Sequence, residues 1–428
     1  MTDRLRLGIA GLGTVGIGVV KIIRQKADLL AARSNKTIEI SAVSARSKKD
    51  RGVPLSAYAW EDDPVALALR DDVDVFIELM GGADGPAKAA TEAALKAGKD
   101  VITANKAMLA EHGQALAELA EANGCVLRYE AAVAGGIPVV KALTEGLAGN
   151  EITRVMGVMN GSCNYILTRM ESAGLTYEEV FAEADGLGYL EADPQLDVGG
   201  IDAAHKLALL ASIAFGTQVK FDGVRLEGIE RVSIEDIRHA ADLGYKIKLL
   251  GSAQITARGL EQSMAPCLVP ASSPLGQLDG GTNMIVLEGS EVGQIVLRGA
   301  GAGEGPTASA VLSDVVDIAR GLRLATFGQP AETLKTVPAA QSQVPAPFYL
   351  RLMLQDKPGA LAKVASALGA AGVSIHRMRQ YEHDVADAAP VLIVTHTTTR
   401  DALDHALEQL PATGVIANQP VALRIENL

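Results

Sequence analysis

Aromatic residues are scarce: phenylalanine, tryptophan and tyrosine make up 4% of the 428 residues. Alanine, glycine, valine and leucine dominate instead, a composition suited to helices packed closely on a sheet and so to an α/β architecture. The three cysteines, Cys125, Cys163 and Cys267, are too few and too scattered for a disulfide framework or a zinc site. None of the seven histidines is spaced like a pair of metal ligands. No apolar run reaches the length of a membrane span. The opening MTDRLRLGIAGLG reads as a first strand and not as a signal peptide, so a cytoplasmic protein is expected. An excess of positive charge is also missing. Lysine and arginine number 39 against 51 acidic residues, a net charge of −12, which argues against a nucleic-acid partner.

Most informative among what is present is Gly188-Tyr189-Leu190-Glu191-Ala192-Asp193-Pro194, followed by Asp197, Asp202 and Lys206. Ile201 to Phe215 is apolar apart from Asp202, His205 and Lys206, which predicts a buried helix. Asp202 and Lys206 are spaced i,i+4 and share one face of it. On so apolar a helix, charged groups must be paired or must line a cavity.

The N-terminal region carries a cofactor signature. Arg6 to Ala10 predicts a strand, then comes Gly11-Leu12-Gly13-Thr14-Val15-Gly16, then a helix from about Ile17 to Leu30. A GxGxxG motif between strand and helix binds a dinucleotide: its glycines allow the tight turn, the approach of the pyrophosphate and close helix packing. A second strand, Thr37 to Ser44, ends without the acidic residue that holds an NAD ribose. It runs into Ala45-Arg46-Ser47-Lys48-Lys49. Arg46 and Lys48 suit a 2′-phosphate, so NADP(H) is expected to be preferred and NAD(H) to remain possible. Further strands at Val73 to Leu79, Asp100 to Thr103 and Cys125 to Tyr129 alternate with helices, which predicts a doubly wound, Rossmann-type sheet. Thr103 and Lys106 fall at a strand's C-terminal end, where such sheets place function. Next, Glu130-Ala131-Ala132-Val133-Ala134-Gly135-Gly136-Ile137-Pro138 predicts a tight turn, able to aim carbonyls at a cation or amides at an anion. A strand Thr153 to Met159 leads to a helix that Asn160 or Ser162 is placed to cap.

These blocks resemble homoserine dehydrogenase. The matching elements are GLGTVG, VITANKAML, EAAVAGGIP, GVMNGSCNYIL, GLGYLEADPQLDVGGIDAAHK and GAGAGEGPTASAV, in the family's order. The resemblance implies reversible NAD(P)H-dependent reduction of L-aspartate 4-semialdehyde to L-homoserine, toward threonine, methionine and isoleucine. It implies Lys206 as proton donor, Lys106 as a second catalytic lysine near the nicotinamide, and Glu191, Asp202 and Asp197 as substrate-binding carboxylates. Glu130, Val133, Gly135 and Ile137 match a sodium-binding loop built mostly of backbone carbonyls. Gly188 and Gly303 match backbone contacts to the cofactor, and Thr103 lines the nicotinamide side. A homodimer or homotetramer is expected.

The helix beginning near Pro306 is expected to return to the cofactor domain. The resulting organisation is a cofactor domain of 1–135 plus about 305–328 and an α+β catalytic and dimerisation domain of 136–304. A proline-rich linker, 329–347, and a last unit, 348–428, complete it. That unit reads βαββαβ, a ferredoxin-like order. Its DKPGALAKVASALGAAGVSIHRM resembles an ACT domain, an amino-acid sensor. The resemblance implies an effector loop at Asp356, Gly359, Ala360 and Leu361, with L-threonine as effector.

Two other readings compete: a non-catalytic regulator, and a reductase of another amino-acid semialdehyde. Lys106, Glu191, Asp202 and Lys206 together argue against the first. Cys163, at a helix start, is a third kind of candidate, a nucleophile. No histidine lies near it in sequence to activate it. Cys163→Ser is therefore expected to leave most turnover intact; complete loss in a steady-state assay would make the thiol a nucleophile.

Overall fold

Strand β1 (Arg4–Ala10) is covered on both faces, and Leu7, Ile9 and Ala10 have no exposure. This is why its apolar residues run on without alternation. The computed structural model describes residues 3–49, 51–190, 193–340, 344–381 and 388–426. The chain forms two compact units: Met1–Gly161 with Asp202–Asp222 and Gly281–Val337, and Ser162–Ile201 with Gly223–Gly280 and Pro338–Leu428.

In the first unit β1 is joined by β2 (Thr37–Ser44), β3 (Ala59–Glu61), β4 (Val75–Glu78), β5 (Asp100–Thr103) and β6 (Leu127–Arg128). All pair in parallel, in the order β3-β2-β1-β4-β5-β6. The order reverses between β1 and β4, the switch point at which a doubly wound sheet opens a ligand crevice. The helix Glu304–Ala319 shares one apolar core with the helix Thr14–Gln25: Ala308, Val311 and Val315 are buried with Val19, Val20 and Ile23.

The remaining strands are β7 (Ile152–Val158), β8 (Val224–Leu226), β9 (Tyr245–Thr256), β10 (Gly259–Pro270), β11 (Thr282–Gly289), β12 (Gly293–Ala300), β13 (Phe348–Gln355), β14 (Ile375–Gln380), β15 (Ala388–Thr395) and β16 (Val421–Ile425). In the first unit β7, β11 and β12 form an antiparallel meander, β12-β11-β7. In the second the order is β9-β10-β16-β13-β15-β14, with β8 beside β10. The C-terminal βαββαβ module is thus not free-standing. Its strand β16 pairs with β10, Cys267 opposite Arg424.

Several boundaries differ from the sequence expectation. The first helix starts at Thr14, directly after an extended Gly13, and breaks at Lys26 before a second helix, Ala27–Ser34. In the C-terminal unit the first helix begins only at Ala360, because Gly359 has φ 83°, a left-handed conformation outside any helix. Ser162 does not cap its helix; its hydroxyl donates to the Tyr189 carbonyl at 2.6 Å. The helix Arg400–Gln409 is capped by Thr399, whose side chain accepts from the Ala402 amide. In 329–347, Ala331 and Leu334 are buried, and Lys335 exchanges main-chain hydrogen bonds with Gly216 and Gln218.

The second unit is pinned by a buried carboxylate. Asp236 has no exposure, receives Arg351 Nε at 2.6 Å and Nη2 at 2.9 Å, and accepts from the Tyr349 hydroxyl at 3.0 Å. Asp236→Ala leaves Arg351 buried and uncompensated, so a loss of about 3–5 kcal/mol is expected in urea unfolding of the full chain. A change within error would show that the pair adds nothing.

Candidate active site

The glycine turn after β1 leaves no room for a side chain at its first and third glycines. A Cβ at Gly11 would overlap the Leu79 carbonyl, and one at Gly16 the Gly11 carbonyl, while Gly13 faces open space. Thr14 is exposed and Val15 half-buried at the helix N-terminus, where main-chain N–H groups attract a pyrophosphate. A cavity of about 460 Å³ opens here, lined by Gly11, Gly13, Ser44, Arg46, Arg51 and Met80 among others. Arg46 therefore reaches the cavity, whereas Lys48 lies over the Trp60 ring, 5.3 Å from its centroid. Arg51 escaped the sequence reading. Its Nε donates to the Leu12 carbonyl at 2.8 Å and its Nη1 to the Ser47 carbonyl at 2.9 Å, holding the basic loop against the glycine turn. The only signal for it was its nearness to the run Arg46 to Lys49.

Glu78, at the tip of β4, was missed as well. It is wholly buried. One carboxylate oxygen accepts the Met80 and Gly81 amides at 2.6 and 3.2 Å, and the other accepts the Thr103 hydroxyl at 2.6 Å. Burial pushes its carboxyl up against the pull of those hydrogen bonds. The Thr103 oxygen accepts the Asn105 amide, and the Asn105 side chain donates to the Gly82 carbonyl and accepts from the Met108 amide. Two loops beside the switch point are thereby locked, and Lys106 becomes the first residue of the helix Lys106–Ala122. An acid inside an apolar strand was the available signal: VFIE, Val75 to Glu78, is buried throughout, and a buried acid must find donors.

Lys106, Asp202 and Lys206 come together in the first unit. Lys206 Nζ donates to Asp202 Oδ2 at 2.6 Å and to the Met159 carbonyl at 2.9 Å. Lys106 Nζ lies 2.8 Å from Asp202 Oδ1. The Asp202 side chain is 8% exposed and that of Lys106 29%, so the cluster is closed on one side and open at Lys106. Burial alone would raise the Asp202 carboxyl; the charges and hydrogen bonds of the two lysines outweigh it and hold it well below the usual range. His205, stacked 4.2 Å from the Phe221 ring, is kept neutral-leaning chiefly by burial.

The turn after β6 is buried at Glu130, Val133, Gly135 and Ile137. Both Glu130 carboxylate oxygens are taken, by the Val140 amide at 3.0 Å and the Lys141 amide at 2.8 Å. Burial and the neighbouring Asp314 raise that carboxyl to about 7. Ala134 and Gly135 both have positive φ. Gly303, exposed, precedes the helix Glu304–Ala319 and accepts the Thr307 amide.

In the second unit Asp197 is buried on the short helix Gln195–Val198, and its carbonyl accepts the Cys163 thiol at 3.2 Å. Gly188 is exposed with φ 71°. Glu191 lies outside the described residues. Asn164 of the GSCN block serves packing: it donates to the Gly280 carbonyl and accepts from the buried Lys248, whose ammonium burial lowers to about 8. In the ACT-like module Asp356 and Gly359 are exposed, Leu361 is half-buried and Ala360 buried.

Comparison with known proteins covers the chain nearly end to end. Residues 11–130 match the profile of the homoserine dehydrogenase NAD-binding domain, 138–316 that of homoserine dehydrogenase, and 348–412 that of the ACT domain. A homoserine dehydrogenase of Neisseria gonorrhoeae is 38% identical over 431 residues, 99% of both chains. The crystal structure of a homoserine dehydrogenase from Thiobacillus denitrificans superposes with a TM-score of 0.94 at 35% identity, again over 99% of both chains. A hyperthermophilic archaeal homoserine dehydrogenase mutant in complex with NADPH matches 73% of this chain and 97% of its own, with a TM-score of 0.63 at 26% identity. With relatives this similar along its whole length, the chain belongs to the homoserine dehydrogenase family, pyridine-nucleotide-dependent oxidoreductases that act on a CH–OH group.

Proposed function

We propose that the chain reduces L-aspartate 4-semialdehyde to L-homoserine, reversibly, with Lys206 as proton donor, and that the observation carrying this is the Asp202 carboxylate held between Lys106 and Lys206. An ammonium has three N–H donors. Two of those on Lys206 are engaged by Met159 and Asp202, which fixes its direction and leaves the third for the aldehyde oxygen. As the aldehyde carbon gains a hydride, its oxygen gains that proton, and the lysine charge stabilises the developing alkoxide. Lys106, the more exposed of the two, faces the same carboxylate and adds positive charge on the nicotinamide side. Asp202 has further lone pairs for the substrate's ammonium or hydroxyl. Glu191 and Asp197 complete the acidic substrate set.

The cofactor fits the glycine cradle, in which Gly13 leaves the helix N-terminus open to a pyrophosphate. When bound, its nicotinamide supplies the hydride. Thr103, Gly188 and Gly303 are its remaining contacts in this reading. NADP(H) is the preferred form, supported by Arg46 and Arg51 at the cavity wall and by the NADPH complex of the archaeal relative. The turn 130–137 suits sodium, a hard cation taking oxygen ligands. Because both Glu130 carboxylate oxygens already accept amides, Glu130 would contribute its carbonyl, beside those of Val133, Gly135 and Ile137. The physiological setting is the synthesis of threonine, methionine and isoleucine in the cytoplasm, by a homodimer or homotetramer. L-Threonine acts at the ACT module through Asp356, Gly359, Ala360 and Leu361.

NADPH oxidation by the purified protein with L-aspartate 4-semialdehyde is expected, and Lys206→Ala should lower kcat by about 10²–10⁴-fold, the usual contribution of a general acid. No turnover, or a Lys206→Ala enzyme as fast as the parent, refutes the reading. Added L-threonine should slow the reaction; an unchanged rate removes threonine as effector. Asp202 sits far below its ordinary carboxylate range, so its contribution to stability is fully present above about pH 4 and is lost only as pH falls through the depressed folded value. A kcat–pH profile should therefore show no limb from Asp202 above pH ~5; a limb there that Asp202→Asn abolishes would contradict this. Arg46→Ala should raise KM for NADPH and leave KM for NADH nearly unchanged. Equal effects on both would assign Arg46 no part in 2′-phosphate binding.

A further inference from the structure

Three strand tips stand in register at the C-terminal edge of the parallel sheet. Ala10 of β1 pairs with Ser44 of β2, and Ser44 pairs with Glu61 of β3. The residues that directly follow them, Gly11, Ala45 and Asp62, line the same cavity of about 460 Å³. Neighbouring strands lie ~4.8 Å apart, so the tip of β3 is about 10 Å across the sheet from the glycine turn. A pyrophosphate at that turn and a ribose at the tip of β2, beside Arg46, leave the base of a dinucleotide at the tip of β3. Pro64, Leu79, Pro86 and Ala87 give the cavity apolar surface of the kind that the faces of a flat ring need.

Asp62 is the only acid among the described residues of this wall. Its neighbours already fill the structural duties of an acid at this place. Asp63 caps the helix Pro64–Leu69, accepting the Val65 amide at 3.0 Å, and Arg70 is bound by Glu61 and Asp72. Asp62 is held instead by the single tryptophan of the chain: Trp60 Nε1 donates to its Oδ1 at 2.7 Å. Lys48, from the basic loop after β2, lies over the same indole ring. Among the described residues nothing bonds the other oxygen, Oδ2.

A carboxylate fixed through one oxygen offers the second as an acceptor and can donate to nothing. At the edge of adenine the exocyclic N6 amine is a donor. We infer that Asp62 reads the adenine base of the cofactor, its Oδ2 accepting from the N6 amine, and that Trp60 positions it for this. The inference rests on the proposed seat of the cofactor in the glycine cradle and adds the base to what that cradle recognises.

Hypoxanthine tests it, because a carbonyl oxygen replaces the N6 amine while sugars, phosphates and nicotinamide stay the same. The full-length enzyme is assayed with L-aspartate 4-semialdehyde and either NADPH or reduced nicotinamide hypoxanthine dinucleotide phosphate. Binding without turnover is followed by quenching of the fluorescence of Trp60. The parent should bind the hypoxanthine cofactor more weakly by roughly tenfold or more, the loss expected for a hydrogen bond to a charged group. The difference should appear in KM and not in kcat, since the reacting end of the cofactor is unaltered. Asp62→Ala should abolish the preference. Asp62→Asn should reverse it, because Trp60 keeps the carboxamide oxygen and turns its NH₂ group toward the hypoxanthine oxygen. Both cofactors carry the same phosphates, so their ratio is insensitive to the charge that either variant removes. A parent that uses the two cofactors equally overturns the inference, as does a preference for adenine that either variant leaves intact. An enzyme that neither binds nor oxidises NADPH refutes the seat of the cofactor itself, which is a separate outcome.

Discussion

A carboxylate taken out of water between two lysines is the constraint around which the first unit is built. Asp202 cannot be ionised at that depth without its partners, and the partners come from separate places in the chain: Lys206 one turn along the same helix, and Lys106 at the start of the helix that follows β5. The Met159 carbonyl, at the end of β7, binds Lys206 as well. Three stretches far apart in sequence are therefore fixed relative to one another by ion pairs and a carbonyl hydrogen bond, and removing Asp202 would leave two lysines without their shared counter-charge. That geometric demand is what makes the cluster suitable for chemistry. Side chains held by ion pairs and carbonyls need little rearrangement when a reacting oxygen develops charge.

The same logic recurs in the supporting structure. Glu78 is buried and satisfied largely by main-chain amides and one hydroxyl, so it acts as a rivet between two loops beside the cofactor crevice. Arg128, Lys141, Asp314 and Asp317 form a buried network next to the turn at Glu130, with Arg128 on Asp317 at 2.8 Å. Asp236 does for the C-terminal module what Asp202 does for the active site, since Arg351 and Tyr349 lie on β13 and the acid lies on the helix Ile234–Asp242. In each case an acidic side chain ties together elements that apolar packing alone would leave free to slide.

The module at the C-terminus joins the rest of its unit through a shared sheet. Because β16 pairs with β10 on one edge and β13 on the other, removing the module would strip a strand from β10 and expose its edge. Within the second unit the module and the strands β8 to β10 thus share one hydrogen-bonded framework.

Local sequence determined a good deal. The periodic and punctuated stretches were legible without any tertiary information: β2, β5 and the helix Ile201–Phe215 have the bounds that their apolar patterns and turn residues predict. The GxGxxG turn was legible because its three glycines stand at fixed spacing directly between an apolar strand and a helix. The pairing of Asp202 with Lys206 was legible because four residues along a helix is one turn. The sequence could not give Lys106 as the second partner of Asp202, Glu78 as the rivet of two loops, Arg51 as the brace of the glycine turn, or β10 as the neighbour of β16. Each depends on which distant segments the fold brings within about 3 Å of one another, a hydrogen-bond distance. Spacing along the chain encodes only neighbours along a helix or strand, so those contacts were decided by tertiary structure, where the cost of burying a charge selects its partner.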